Sequence, residues 1–244
     1  VSCDISEQDT SKSAATDKYM RQIYRMCGVP DHVIDIVEAP NVRWHMRSQV
    51  TSVPVHYQYQ SGRADTLFSN TMHTIGVICM SYSFDELVLA LFQGDDCMVK
   101  ATELTRTDDY YFRLKEDTSA VGDFVGFLVS DEDIYLDIPR IALKTLTRDV
   151  ADKGRYDQLA IATNDLLGLH TNSEKRTMNL KYAAYKYPAL TAGDVDILYE
   201  LLHSYSRMEA GRKHFAPPQG GYASALLKKN PNLVNNILLT FHYR

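Results

Sequence analysis

The sequence predicts an α+β protein, with sheet and helices mixed over residues 1–139 and helices alone over residues 140–244. Three observations carry that reading. Short β-branched and aromatic runs, such as 87–92 and 124–129, alternate with amphipathic segments in the first part. Beyond Pro139 the apolar spacing is helical throughout. Charge divides at the same place: residues 1–139 hold 11 Lys/Arg against 22 Asp/Glu, residues 140–244 hold 15 against 9, and the whole chain is at −5. An acidic part that gathers carboxylates beside a basic part suits a metal site joined to a polyanion-contacting surface, although two solvated lobes would show the same split.

Taken in order, residues 1–5 read as a short strand ending at the first carboxylates. Residues 11–27 read as a helix, with Ala14, Ala15, Tyr19, Ile23, Tyr24 and Cys27 at helical spacing. Gly28-Val29-Pro30-Asp31 stops it and opens a second helix over 31–38. Alternation of Val50, Val53, Val55, Tyr57 and Tyr59 predicts a hairpin within 43–60. A helix over 65–81 places Leu67, Phe68, Met72, Ile75 and Cys79 on its apolar side. The run 87–92 predicts a fully buried strand, broken at Gly94-Asp95-Asp96 and resumed at Cys97-Met98-Val99. After a mixed segment, 107–117, the runs 124–129 and 134–136 predict a second hairpin. Helices follow over 140–147, 155–168, 173–186, 194–209 and 222–242, the last interrupted at Pro231, with Ser173 and Asp194 as N-caps. Ala216-Pro217-Pro218-Gln219-Gly220-Gly221 is the clearest breaker of this part.

No run of 18 apolar residues exists, so no transmembrane segment is expected. The four cysteines, Cys3, Cys27, Cys79 and Cys97, lack zinc-ligand spacing and read as reduced, mostly buried thiols of a cytosolic protein. The start, Val1-Ser2-Cys3-Asp4, has no basic or apolar leader and reads as an internal cut in a longer protein.

Three blocks carry the chemistry: Asp4-x4-Asp9, then Ser61-Gly62-x3-Thr66-x3-Asn70-Thr71, then Gly94-Asp95-Asp96. Phosphoryl transfer needs two cations about 3.5–4 Å apart, and hard Mg²⁺ takes a few carboxylates plus substrate phosphates. Asp4 at a strand end and Asp95 in a tight turn are rigid supports for such ligands, with Asp96 auxiliary. An ordinary surface turn would also read Gly94-Asp95-Asp96 when taken alone. Thr66 and Asn70 share one helix face, near enough in pattern to Asp9 to read a ribose 2′-hydroxyl, or else to make local helix-start bonds. His73, one turn on, reads as structural.

These blocks resemble the viral RNA-dependent RNA polymerases, in particular the alphavirus-like supergroup of positive-strand viruses. Asp4-Ile5-Ser6-x2-Asp9-x-Ser11-Lys12 is similar to motif A, D-I-S-x-x-D-x-S-Q, with Lys12 in place of Gln. The Ser61 block resembles motif B and Gly94-Asp95-Asp96 motif C. Phe112-Arg113-Leu114-Lys115 resembles motif D. Phe124-Val125-Gly126 with Tyr135-x-Asp137-x-Pro139 and Lys144-x-Leu146 resembles motif E, with Val125 where the family has Cys. The likeness covers residues 1 to about 148.

The resemblance implies a palm (an antiparallel sheet with flanking helices) over 1–139 and a helical thumb over 140–244, without fingers and so inactive alone. It implies Asp4 and Asp95 as Mg²⁺ ligands with Asp96 auxiliary, Mn²⁺ substituting. Asp9 and Asn70 would select the sugar, and Ser61, Gly62 and Thr66 would position nucleotide and template. Lys115 would be the general acid for pyrophosphate, with Arg113 a competitor and a roleless exposed lysine the plain alternative. Implied partners are RNA template and product, ribonucleoside triphosphates, a fingers region and other viral replication proteins, in membrane-associated complexes of the host cytoplasm. Lys153, Arg155, Lys175, Arg176, Lys181 and Lys186 are candidates for the RNA backbone. A palm-type reverse transcriptase or a non-catalytic assembly module are the rival readings.

Overall fold

The structure, a computed structural model, describes residues 1–5, 8–59, 64–107, 114–146, 153–168, 173–206 and 231–241. It is mixed α/β, with eight helices and antiparallel strand pairs among those residues. Two compact units divide the chain, Val1–Val125 and Gly126–Arg244.

The first unit is built on a four-stranded sheet of order β5-β6-β1-β8. Its strands are β1 (Ser2–Ile5), β5 (Leu87–Gln93), β6 (Asp96–Ala101) and β8 (Leu114–Asp117), and β9 (Gly122–Phe124) follows. Around the sheet lie α1 (Ala14–Met26), α2 (Asp31–Val42) and α3 (Thr66–Ser81). Two ribbons complete the unit: β2 (Trp44–Arg47) with β3 (Ser52–Val55), and β4 (Tyr82–Phe84) with β7 (Leu104–Arg106). Cys3, Ile78, Tyr82, Cys97 and Val99 form one apolar cluster, which joins the central strands to α3. Met20, Tyr24 and Ile34 form another, between α1 and α2.

Local chemistry explains the helix ends. Thr16, Met20 and Tyr24, four residues apart, make the buried stripe of α1. Gly28, at φ +80°, lets Val29 N–H close back onto the Tyr24 carbonyl at 3.0 Å. α2 runs four residues past its expected end, through Pro40. Glu38 and Asn41 hold that last turn: both are buried, Asn41 Nδ2 donates to Glu38 Oε2 at 2.6 Å, and the Asn41 carbonyl accepts from Tyr57 N–H at 2.7 Å.

Four expectations change. β5 is not a fully buried strand: it ends the sheet, so Leu87 is 48% and Val88 59% exposed. α3 buries Ser69, His73, Thr74, Val77, Ile78 and Ser81, while Leu67, Phe68 and Cys79 are exposed. Its inward face meets a polar turn over the first half and the apolar core, through Val77 and Ile78, over the second. Met72 packs on the α1–α2 cluster, so apolar spacing marks the inward side only in part. Residues 124–129 are two strands, because Val125 (φ 52°) and Gly126 (φ 84°) turn the chain between them. Cys27 joins Cys79 at the surface, which leaves only Cys3 and Cys97 buried, and all four thiols are free.

The second unit opens with the antiparallel hairpin β10 (Phe127–Val129) and β11 (Ile134–Leu136). It continues with α4 (Ile138–Leu146), α5 (Lys153–Gly168), α6 (Ser173–Lys186), α7 (Ala192–Ser206) and α8 (Pro231–Phe241). α7 packs on α4, α5 and α6, burying Val195, Leu198 and Leu202. Asp137 caps α4 by accepting from Arg140 N–H at 3.1 Å, and Tyr187 donates its hydroxyl to the same carboxylate at 2.5 Å. α7 begins two residues before Asp194. Its cap is Thr191, whose hydroxyl accepts from Asp194 N–H at 3.1 Å while the Asp194 carboxylate accepts from Thr191 N–H at 2.9 Å. Hydrogen bonds from Thr191 and Asn236 hold the Asp194 carboxyl below its ordinary value despite burial. α8 begins at Pro231, as suits a residue without an N–H, and the expected helical stretch before it, 222–230, lies outside the described residues. The breaker at 216–221 lies outside the described residues.

Candidate functional site

The sheet register assembles the site from residues far apart in sequence. Asp4 on β1 stands opposite Asp96 on β6 and opposite Lys115 on β8. Directly paired residues point to the same face of a sheet, so Asp96, Asp4 and Lys115 form one row across it. Lys115 Nζ reaches Asp4 Oδ2 at 3.3 Å, an ion pair whose lysine is 72% exposed and so worth little to stability. Asp95 sits one residue earlier, in the turn between β5 and β6, and its partner in that turn, Gly94, adopts φ +63°.

The loop after β1 brings the second group. Asn70 Nδ2 on α3 donates to Asp9 Oδ1 at 3.2 Å. Lys12, buried where motif A usually has Gln, donates from Nζ to Asn70 Oδ1 and lies 3.5 Å from the Tyr59 ring centroid. Asp4, Asp9, Asn70, Asp95 and Lys115, with Ile5, Gln8 and Thr10, line one open cavity of about 710 Å³. Thr66 and Asp96 are not among its lining residues, and Thr66 is the first residue of α3. Ser61, Gly62 and Arg113 lie outside the described residues.

Sequence reading missed the residues that hold this cavity together. Gln8 Nε2 donates to the Asn70 carbonyl at 3.1 Å and to Thr74 Oγ1 at 2.7 Å, and lies 3.4 Å from His73 Nδ1. Thr74 Oγ1 donates to the Gly94 carbonyl at 2.6 Å, and Gly94 N–H donates to Thr71 Oγ1 at 2.9 Å. Two threonines of α3 thus grip both backbone groups of Gly94, immediately before Asp95. A signal was present: Asn70, Thr71, His73 and Thr74 put four polar groups within two turns of an otherwise apolar helix. Nothing in the sequence marks Gln8. His73 is structural, as expected. Burial, reinforced by the Lys12 charge, pulls its pKa down to about 4, so at neutral pH the ring is uncharged.

Among the described residues, no group of three His, Cys, Asp or Glu is placed to hold a metal ion. The two carboxylates of Asp4 and Asp95 on one cavity nevertheless fit Mg²⁺, which binds through one or two carboxylates and completes its shell from substrate phosphates and water.

Comparison with known proteins agrees with the motifs. Residues 1–115 match the family described as RNA dependent RNA polymerase. The chain is 24% identical over 221 residues to the non-structural polyprotein pORF1 of Hepatitis E virus genotype 2 (isolate Human/Mexico), covering 87% of this chain and 13% of that protein. It is 25% identical over 222 residues to the pORF1 of genotype 1 (isolate Human/Pakistan/Sar-55), with the same coverage. It is also 24% identical over 198 residues to the methyltransferase/helicase/RNA-directed RNA polymerase of Nudaurelia capensis beta virus, covering 78% of this chain and 10% of that protein. The chain therefore spans only about an eighth or less of the length of these relatives. No solved structure matches it.

Proposed function

We propose that this chain, whose residues 1–115 match the RNA dependent RNA polymerase family and which is similar to parts of viral replicase polyproteins, is the palm and thumb of such an enzyme of the alphavirus-like kind. The palm covers 1–139 and the thumb 140–244. The reaction is template-directed attack of an RNA 3′-hydroxyl on a ribonucleoside triphosphate. The observation that carries it is the single cavity joining Asp4, Asp95, Asp9, Asn70 and Lys115. Asp4 and Asp95 would hold Mg²⁺, with Asp96 auxiliary and Mn²⁺ able to substitute. When bound, two such ions activate the attacking hydroxyl and neutralise charge on the departing pyrophosphate.

The other residues have roles that follow from their chemistry. Asp9, steadied by Asn70, offers a carboxylate oxygen to the ribose 2′-hydroxyl, the group absent from DNA precursors. Lys115 is a protonated amine at the cavity wall and gives its proton to pyrophosphate as it leaves. Ser61, Gly62 and Thr66 position nucleotide and template. The partners in this reading are RNA, ribonucleoside triphosphates, a fingers region and further replication proteins, working in membrane-associated complexes of the host cytoplasm. The polyprotein context of the relatives supports such company. No helix of the described residues is long and apolar enough to cross a membrane.

Asp95→Ala in the intact polymerase that contains this chain is expected to lower RNA synthesis by about a thousandfold, the scale of losing a preorganised charge in the transition state. Undiminished synthesis would instead favour a non-catalytic assembly module. Preference for deoxyribonucleotides in primer extension would point to a reverse transcriptase.

A further inference from the structure

Lys12 is a cation in an unfavourable place. It is 5% exposed, and it directly precedes Ser13, the N-cap of α1, where the helix dipole disfavours positive charge. What holds it there is specific: its Nζ donates to Asn70 Oδ1 and lies over the Tyr59 ring. The Tyr59 backbone N–H in turn donates to the Asp9 carbonyl at 3.3 Å. Lys12 therefore sits between the two segments that carry Asp9 and Asn70.

The chemistry of an ammonium decides how Asn70 must lie. Lysine has three donors and no acceptor, so only the amide oxygen of Asn70 can face it. The amide nitrogen is then turned toward Asp9, where it donates to Oδ1 at 3.2 Å. Reversed, the amide would set its oxygen against a carboxylate and its nitrogen against an ammonium, both repulsive. Gln, the residue motif A usually has here, both donates and accepts, and so would leave the orientation to the Asp9 carboxylate alone, where Lys12 adds a second constraint.

We propose that Lys12 is a specificity-determining positioning residue: it locks the Asn70 amide so that Nδ2 holds Asp9 in place for the ribose 2′-hydroxyl. The inference rests on the polymerase reading above and adds to it the residue that sets sugar discrimination. A site built to bond a substrate hydroxyl rejects the analogue lacking it only while its own polar groups stay oriented.

The test compares kcat/KM for ribo- and 2′-deoxyribonucleoside triphosphates in the intact polymerase that contains this chain. Wild type is expected to favour ribonucleotides. If it incorporates no nucleotide, or prefers deoxyribonucleotides, the polymerase reading itself fails and this inference with it. Given a discriminating wild type, Lys12→Met is expected to lower the ribo/deoxy ratio about tenfold, the scale of one lost charge-assisted hydrogen bond. Lys12→Gln, which keeps a donor, should fall between the two. Lys12→Leu serves equally if the Met variant does not fold. A merely structural lysine would depress both substrates alike, so an unchanged ratio in either folded apolar variant overturns the proposal. In an Asn70→Ala background Lys12→Met should change the ratio no further, since the two residues act as one unit. A second tenfold loss there would show that Lys12 does not act through Asn70.

Discussion

At neutral pH His73, on α3, is uncharged and buried against Gln8 of the loop after β1, and protonation would put a charge into that buried place. Its pKa is about 4 in the folded chain against 6.5 for a free histidine. The unfolded state therefore takes up the proton first as pH falls. Stability is full above pH 6.5 and drains away between there and pH 4, amounting to about 2 kcal/mol between pH 7 and pH 5. Trp44, the only tryptophan, lies in the first unit and reports its unfolding in urea. The midpoint should fall over that range in wild type and fall less in His73→Gln; parallel slopes would remove His73 as the cause. The sequence placed His73 one turn past Asn70, but it could not show the burial that makes it titrate so low, because its neighbour Gln8 is 65 residues away.

The contact between α3 and the β5–β6 turn is where element-scale order meets the chemistry. Thr74 links Gln8 to the Gly94 carbonyl, so Thr74→Val leaves a buried donor and a buried acceptor without their bond. The expected cost is about 2 kcal/mol in urea unfolding, with Thr74→Ser close to wild type. If Asp95 depends on this grip, kcat should also fall with little change in nucleotide KM. Gly94→Ala should cost about 1–2 kcal/mol from its left-handed backbone alone, since the added methyl meets Leu67 Cδ1 at an ordinary 3.7 Å. Thermal unfolding that shifted for neither variant would rule out the turn as a held element. Most element positions were readable: Gly28 announced the end of α1, and the Gly94-Asp95-Asp96 break announced the hairpin. What failed was the inward side of α3. Hydrophobic period locates a helix, but the face that turns inward depends on what it meets, and here that is a polar turn and a glutamine for its first half and the apolar cluster for its second.

Over the whole molecule, the charge division at residue 139 is real in sequence but overstates the positive charge available to a polyanion. Arg176 is held by Asp196 and by Glu200 at 2.7 Å, and it stacks 4.4 Å from the Tyr199 ring centroid. Lys175 pairs with Asp133 at 3.2 Å, and Lys186 is buried. Of the six basic residues expected to meet RNA, Lys181 is the exposed one whose side chain the structure describes without an acidic partner within bonding distance. Its replacement by Gln should lower RNA affinity modestly and reduce the salt dependence of binding by about one phosphate contact, read by titration at several salt concentrations. The three blocks were legible as a set because their spacing is local to each. The row of Asp96, Asp4 and Lys115 was not, because it exists only once β1 lies between β6 and β8.

One consequence of that strand order concerns the test tube. Among the described residues β5 ends the sheet and leaves Leu87 and Val88 in water, on a strand whose outer backbone groups face no described strand and can pair with another chain. A concentrated solution of this chain should self-associate through that edge, and light scattering should register it. Val88→Lys, a gatekeeper charge on the exposed position, should suppress the scattering while leaving Trp44-detected unfolding within about 0.5 kcal/mol of wild type. The strand that leads to the carboxylate turn is thus also where self-association is expected to begin.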